Sequence, residues 1–186
     1  MPETKRIRVL YDEAAIARRN EEMAREIAGT APEDLLVVAV LKGSFMFVAD
    51  LIRAMHRQGM TPQVEFVHLS SYRDATVSSG QVEILRDVQS DVRGREVLLV
   101  DDILESGRTL AFAKDLLAAR GAAKVSSAVL LEKPGKQAVN IRPEHVGFVC
   151  PDYFVVGYGM DVAHSYRQLP YVGVIETADQ AGLPGI

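Results

Sequence analysis

Residues 96–121 read EVLLVDDILESGRTLAFAKDLLAARG. The opening run, 96–100, is apolar and β-branched after Glu96, as in a strand buried on both faces. The closing part predicts a helix. Leu110, Ala113, Leu116 and Leu117 recur at helical spacing, and Gly121 supplies a stop. Between them lie Asp101 and Asp102, then the cluster Glu105, Ser106, Gly107, Arg108 and Thr109. A buried strand, a short polar loop and a helix make one α/β unit, and that unit sets the reading of the rest.

The same pattern recurs on both sides. Upstream, LLVVAVL (35–41) is a second doubly buried strand that ends in KGS and leads to a helix. Phe45, Val48, Leu51, Ile52 and Met55 share one face of that helix, with Ser44 placed to cap it and Gly59 to stop it. Before this strand, Ile16, Met23 and Ile27 predict a helix between an Asp12 cap and Gly29. QVEFVHLS (63–70) reads as a strand, SYRDATVSSG (71–80) as a polar loop, and QVEILRDV as its extended return. Downstream, KVSSAVLL (124–131) is a strand, EKPGKQ a turn, and VGFVC and YVGVI short later strands. Strands alternating with helices predict an α/β fold, a mostly parallel twisted sheet flanked by helices on both faces. Ligands of such sheets sit beyond the carboxyl ends of the strands. KGS, DDILESGRT and EKPGK each follow a buried strand, so all three should meet on one rim.

Composition narrows the class. The 186 residues suit a single domain; 48% are hydrophobic, 25% charged, and the net charge is −4. That charge repels nucleic acid as a whole. One cysteine, Cys150, excludes a disulfide framework and any multi-cysteine metal site, and reads as a small buried apolar residue. No run approaches the roughly 20 apolar residues that span a bilayer, and MPETKRIRVL lacks the apolar core of a signal peptide. The expectation is a cytoplasmic protein with no membrane and no nucleic-acid partner. The four histidines (His56, His68, His145, His164) are scattered and receive no role.

The loop's chemistry follows from its place. The start of a helix carries free N–H groups and partial positive charge. Gly107 allows close backbone approach, and Ser106 and Thr109 add hydroxyls. This is a cradle for a phosphate monoester. Neither G-x-x-x-x-G-K-[ST] nor G-x-G-x-x-G occurs, so it is not a usual nucleotide loop. Carboxylates instead accept from sugar hydroxyls, hold Mg²⁺ or take protons. A phosphorylated sugar uses both halves of the stretch.

VLLVDDILESGRTL (97–110) resembles the phosphoribosyl-pyrophosphate (PRPP) motif of type I phosphoribosyltransferases. LKGS (41–44), SSYRDATVSSG (70–80), LLEKPGK (130–136) and DYFVVGYGMDVAHSYRQLPYVGVI (152–175) extend the resemblance, over nearly the whole chain, to the hypoxanthine–guanine branch of that family. It implies a core of about 30–150 under a small hood built from about 1–12 and 151–186. It also implies transfer of phosphoribose from PRPP to a 6-oxopurine, hypoxanthine and guanine above all, with release of pyrophosphate.

The resemblance implies the following roles. Glu105 to Thr109 hold the 5-phosphate, and Asp101 and Asp102 face the ribose hydroxyls, directly or through Mg²⁺. Leu41, Lys42 and Gly43 meet pyrophosphate, together with Arg167, and the Leu41–Lys42 peptide is one that can be cis in the family. Lys133 donates to the purine's exocyclic oxygen, Phe154 stacks on the base, and the Val155 backbone meets the base edge. Asp161 is a Mg²⁺ ligand, and Ser71 and Tyr72 belong to a lid over PRPP. Glu105 stands where the family's general base stands, but as Glu in place of the usual Asp. That departure keeps open a catalytically inactive PRPP-sensing regulator on the same fold. Assembly as a homodimer or homotetramer is also implied.

Overall fold

A computed structural model describes residues 6–71 and 82–176. In chain order the elements are β1 (Ile7–Tyr11), α1 (Glu13–Gly29), β2 (Leu36–Leu41), α2 (Phe45–Arg57), β3 (Gln63–Ser71), β4 (Val82–Arg86), β5 (Glu96–Leu104), α3 (Arg108–Ala119), β6 (Lys124–Glu132), β7 (His145–Val149), β8 (Val155–Val156) and β9 (Val172–Ile175). Six strands form one sheet in the order β4-β3-β2-β5-β6-β7. All its pairings are parallel except β3 with β4.

The continuous apolar runs are explained by what covers them. Along β2 and β5, Val37, Ala39, Leu98 and Val100 pack with Ile16, Met23, Phe47 and Leu51 under α1 and α2. The alternate residues Leu36, Val38, Val97 and Leu99 pack with Leu110, Ala113 and Leu117 of α3 on the other face. Period-two alternation thus survives, but both faces are buried, so every position is apolar.

The elements begin and end much as expected. Asp12 Oδ1 accepts from the Ala15 amide at 2.7 Å and caps α1. Gly59, with φ of 81°, follows the end of α2. Three details differ. Ser44 stands at the N-cap of α2 but makes no cap; its hydroxyl turns back to the Val40 carbonyl at 2.5 Å. The buried face of α2 centres on Phe47, Val48, Leu51, Ala54 and Met55, leaving Phe45 and Ile52 only half-buried. β5 runs on to Leu104 instead of stopping at Val100, because β6 continues beside it as far as Leu104↔Glu132.

A second, antiparallel sheet has the order β1-β9-β8 and joins the two ends of the described chain over the carboxyl side of the main sheet. Tyr11 ties it down: its ring stacks on Phe148 with centroids 4.2 Å apart, and its hydroxyl donates to the Val149 carbonyl at 2.9 Å. α1 covers the β7 edge, where the Arg19 guanidinium donates to the Val146 and Gly147 carbonyls. Among the described residues, no helix is long and apolar enough to cross a membrane.

Candidate active site

A cavity of about 1150 Å³ opens beyond the carboxyl ends of β2, β3, β5 and β6. The three polar clusters meet there: Lys42 and Gly43 after β2, Asp101 to Thr109 at the end of β5, and Lys133 after β6. Phe154, Val155, Asp161 and Arg167 complete the wall from the segments around and beyond β8. Tyr72 lies outside the described residues, and Ser71 is described only as the last residue of β3, so the lid residues are not placed.

The loop expected to cradle a phosphate runs from the end of β5 into α3. Gly107 has φ of 78°, and a Cβ there would lie 2.7 Å from Ile141 Cγ2. Both facts demand glycine. The Ala138 amide donates to the Ser106 carbonyl at 2.8 Å, which fixes the loop from behind. The first helical bond of α3 runs from Ala111 N to Gly107 O at 2.9 Å. The Arg108 amide leans on Ser106 Oγ at 3.4 Å, while the Thr109 and Leu110 amides precede the first helical bond and suit an anion at the positive end of the helix.

Asp101 and Asp102 belong to the last stretch of β5. Asp101 is buried, at 7% exposure, and its Oδ1 accepts from the Asp102 amide at 2.9 Å. The Ile103 amide donates to Asp102 Oδ1 at 2.7 Å. Burial pushes the Asp101 carboxyl well above the usual carboxylate range, and the adjacent Asp102 charge adds to the shift. Burial also raises Asp102, against the opposing influence of its hydrogen bonds and of Arg167.

Asp102 packs directly on the loop after β2, where a Cβ on Gly43 would stand 1.6 Å from Asp102 Oδ2. The Leu41–Lys42 peptide is cis, as the resemblance allows. On its other side this loop meets Gly159, whose imagined Cβ would come within 2.2 Å of the Gly43 carbonyl oxygen. Arg167 then donates to the Gly159 carbonyl at 2.7 Å and pairs with Asp161 at 2.8 Å. The Asp161 Oδ2 atom also accepts from the His164 amide at 2.7 Å.

On the opposite wall, Lys133 is buried, at 6% exposure, and its Nζ stands 3.7 Å from Glu105 Oε1. Its amide donates to the Leu104 carbonyl at 2.9 Å, joining the turn after β6 to the end of β5. Phe154 is 56% exposed, so it is a face offered to the cavity and not a core residue. Lys136 pairs with Asp152 at 2.7 Å and links the EKPGK turn to the segment that carries Phe154. Cys150 is fully buried beneath, as expected of an apolar residue.

Two cavity residues were given no role by the sequence: His68 at the end of β3 and His164 after Asp161. His164 lies within the 152–175 stretch, whereas His68 falls in no motif, and only the register of β3 beside Leu41 brings it to the rim.

The fold and this site define a phosphoribosyltransferase: residues 8–163 match the phosphoribosyl transferase domain, and the chain belongs to that family. Within it the chain is similar to the hypoxanthine phosphoribosyltransferase of Escherichia coli, at 39% identity over 177 residues, 94% of this chain and 98% of that protein. It is 39% identical to the hypoxanthine-guanine phosphoribosyltransferase of Bacillus subtilis over 92% of this chain and 94% of the relative. It also matches the bifunctional TilS/HprT protein of Listeria monocytogenes at 42% identity, spanning about a quarter (26%) of that relative's length. A solved Staphylococcus aureus hypoxanthine phosphoribosyltransferase superposes with a TM-score of 0.84 at 36% identity, covering 90% of each chain. The glutamic acid mutant from a study of an invariant aspartic acid in HPRTs superposes with a TM-score of 0.87 at 35% identity, over 96% of this chain and 100% of that one.

Proposed function

We propose that this protein salvages purines, transferring phosphoribose from PRPP to hypoxanthine and guanine to give IMP and GMP with release of pyrophosphate. The observation that carries the reading is the Lys133–Glu105 pair, 3.7 Å apart on the wall beside the phosphate cradle. A 6-oxopurine presents its exocyclic oxygen, an acceptor, beside a ring N–H, a donor. An ammonium and a carboxylate at this spacing match that edge. Adenine's amino group would leave the buried ammonium without an acceptor, at a cost of about 1–3 kcal/mol.

In the proposed reaction the cradle at Glu105 to Thr109 holds the 5-phosphate and fixes the sugar. Asp101 and Asp102 accept from the ribose hydroxyls. The purine ring nitrogen bonds to the anomeric carbon as the carbon–pyrophosphate bond breaks, and positive charge develops on the sugar. Glu105 takes the proton that the purine sheds. Lys42, the Gly43 backbone and Arg167 receive the departing pyrophosphate.

Mg²⁺, when bound with PRPP, would offset pyrophosphate charge. Asp161 and the Asp101–Asp102 pair would hold it. Separate carboxylates suit an ion that keeps waters and takes further oxygens from substrate phosphates. Assembly as a homodimer or homotetramer is part of the proposal, supported by family membership and read by light scattering.

The test is purified protein with PRPP and Mg²⁺, offered hypoxanthine, guanine, xanthine, adenine and uracil separately, with nucleotides resolved by chromatography. The reading expects product from hypoxanthine or guanine and little from adenine or uracil. PRPP binding without turnover of any base would replace it with the regulator.

A further inference from the structure

Beneath the pyrophosphate side of the site lies a polar cluster that takes no part in the proposed chemistry, buried at Tyr158 and Asn20 and open to solvent at Asp50, whose side chain is 43% exposed. The Tyr158 hydroxyl donates to Asp50 Oδ2 of α2 at 2.6 Å and accepts from Asn20 Nδ2 of α1 at 2.9 Å. Tyr158 is 5% exposed and Asn20 3%. Asn20 Oδ1 is a buried acceptor without a partner among the described residues. Asp50 is held on its other oxygen by Arg53 at 2.7 Å. For its two buried members, Tyr158 and Asn20, an unmade bond leaves a desolvated group.

The backbone above it is unusual. Tyr158 itself has φ of 49°, between Gly157 at 94° and Gly159 at 98°. A bulky side chain in the left-handed region is rare and needs surrounding contacts to hold it there. The Tyr158 amide donates to the Leu169 carbonyl at 2.9 Å, and the Gly159 amide to the Arg167 carbonyl at 3.0 Å. The turn thus presses through Gly159 on Gly43, and Gly43 presses on Asp102. Through the Gly159 carbonyl it also holds Arg167, which holds Asp161.

We infer that Tyr158 is a positioning residue. Its hydroxyl, fixed between Asp50 and Asn20, sets the height of the 157–161 turn over the Lys42–Gly43 loop. It thereby aligns Gly43, Arg167 and Asp161 for the pyrophosphate half of PRPP. Tyr158 is absent from the cavity wall. Of the purine half, Lys133 follows β6, while Phe154 and Val155 precede the turn and are held independently by the pairing of Val155 with Val174 and of Asp152 with Lys136. The inference rests on the proposed function for the identity of the ligand.

The experiment is steady-state kinetics on the full chain for Tyr158→Phe, Asp50→Asn and Asp50→Ala, with melting temperatures. Tyr158→Phe is expected to raise KM for PRPP about tenfold or more while KM for hypoxanthine stays within twofold, since misplacement near 1 Å costs up to a hundredfold. Asp50→Asn keeps an oxygen that accepts from the tyrosine and should restore near-native KM. Asp50→Ala should copy Tyr158→Phe. A lower melting temperature with unchanged KM for PRPP, or equal movement of both KM values, would overturn the inference. A wild-type chain without turnover sinks the proposed function alone, and PRPP affinity by calorimetry then reads the same variant ratios. Absence of PRPP binding overturns both.

Discussion

Lys133→Gln separates base recognition from sugar recognition. The ammonium is buried and faces only Glu105, at 3.7 Å, among its ion-pair partners in the described residues. Its proposed bond to the purine oxygen is charge-assisted, and such bonds contribute about 1.5–3 kcal/mol. At 1.4 kcal/mol per factor of ten, losing it raises KM for hypoxanthine roughly ten- to a hundredfold. Gln also offers an acceptor, so adenine loses its penalty and the hypoxanthine-to-adenine ratio of kcat/KM falls further. The proposed cradle turns on Gly107 and is tied from behind by Ala138, and of its residues Glu105 is the one paired with Lys133. KM for PRPP should therefore remain within about twofold, a change well under 1 kcal/mol. The assay is initial rate against hypoxanthine and adenine at saturating PRPP, then against PRPP at saturating hypoxanthine. A collapse of PRPP affinity with an unchanged base ratio would refute the reasoning and move Lys133 to the sugar side.

Glu105→Gln should keep PRPP affinity by calorimetry and lose about 10²–10⁴ in kcat, the usual contribution of a general base; full activity would remove Glu105 from that role. Gly107→Ala should weaken PRPP binding and lower stability by about 1–3 kcal/mol, because φ is 78° and Ile141 stands in the way; melting and PRPP titration check it. Asp101→Asn should melt above wild type at pH 8, by about 2–4 °C for each kcal/mol relieved, while losing turnover. The raised folded pKa of Asp101 means that its contribution to stability is present below the unfolded value and lost as pH rises through the folded one. The advantage of Asn should accordingly shrink toward pH 4, and a gap independent of pH would contradict the burial argument.

Much of this was legible in the sequence because the physics was local. The apolar runs of β2 and β5 gave strand and burial together, and Gly107 marked the loop–helix junction at the start of α3. The errors came where a partner strand or a tertiary contact decided the outcome. Asp101 and Asp102 look like the start of a loop, yet pairing with β6 keeps the chain extended to Leu104. Ser44 looks like a cap, yet the Val40 carbonyl captures its hydroxyl. VGYG suggests only flexible backbone, whereas Tyr158 is buried and bonded to residues 108 and 138 positions away. His68 reaches the cavity through strand register alone, which no local pattern encodes.

The buried acid pair explains why carboxylates stand beside an anion cradle. In the protein by itself, burial opposes charge on both Asp101 and Asp102. Arg167, the nearby cation that counters this at Asp102, is committed to Asp161 and the Gly159 carbonyl. Gly43 packs so close that no side chain can stand between the loop and Asp102. In the proposed complex, hydroxyls of the ligand or a cation bound with it would supply further donors to these carboxylates. A bare phosphate would be held by the cradle but would leave the acids unanswered. On the proposed function a phosphorylated sugar would answer both halves of the stretch at once, and that discrimination would arise from desolvation built into the end of β5.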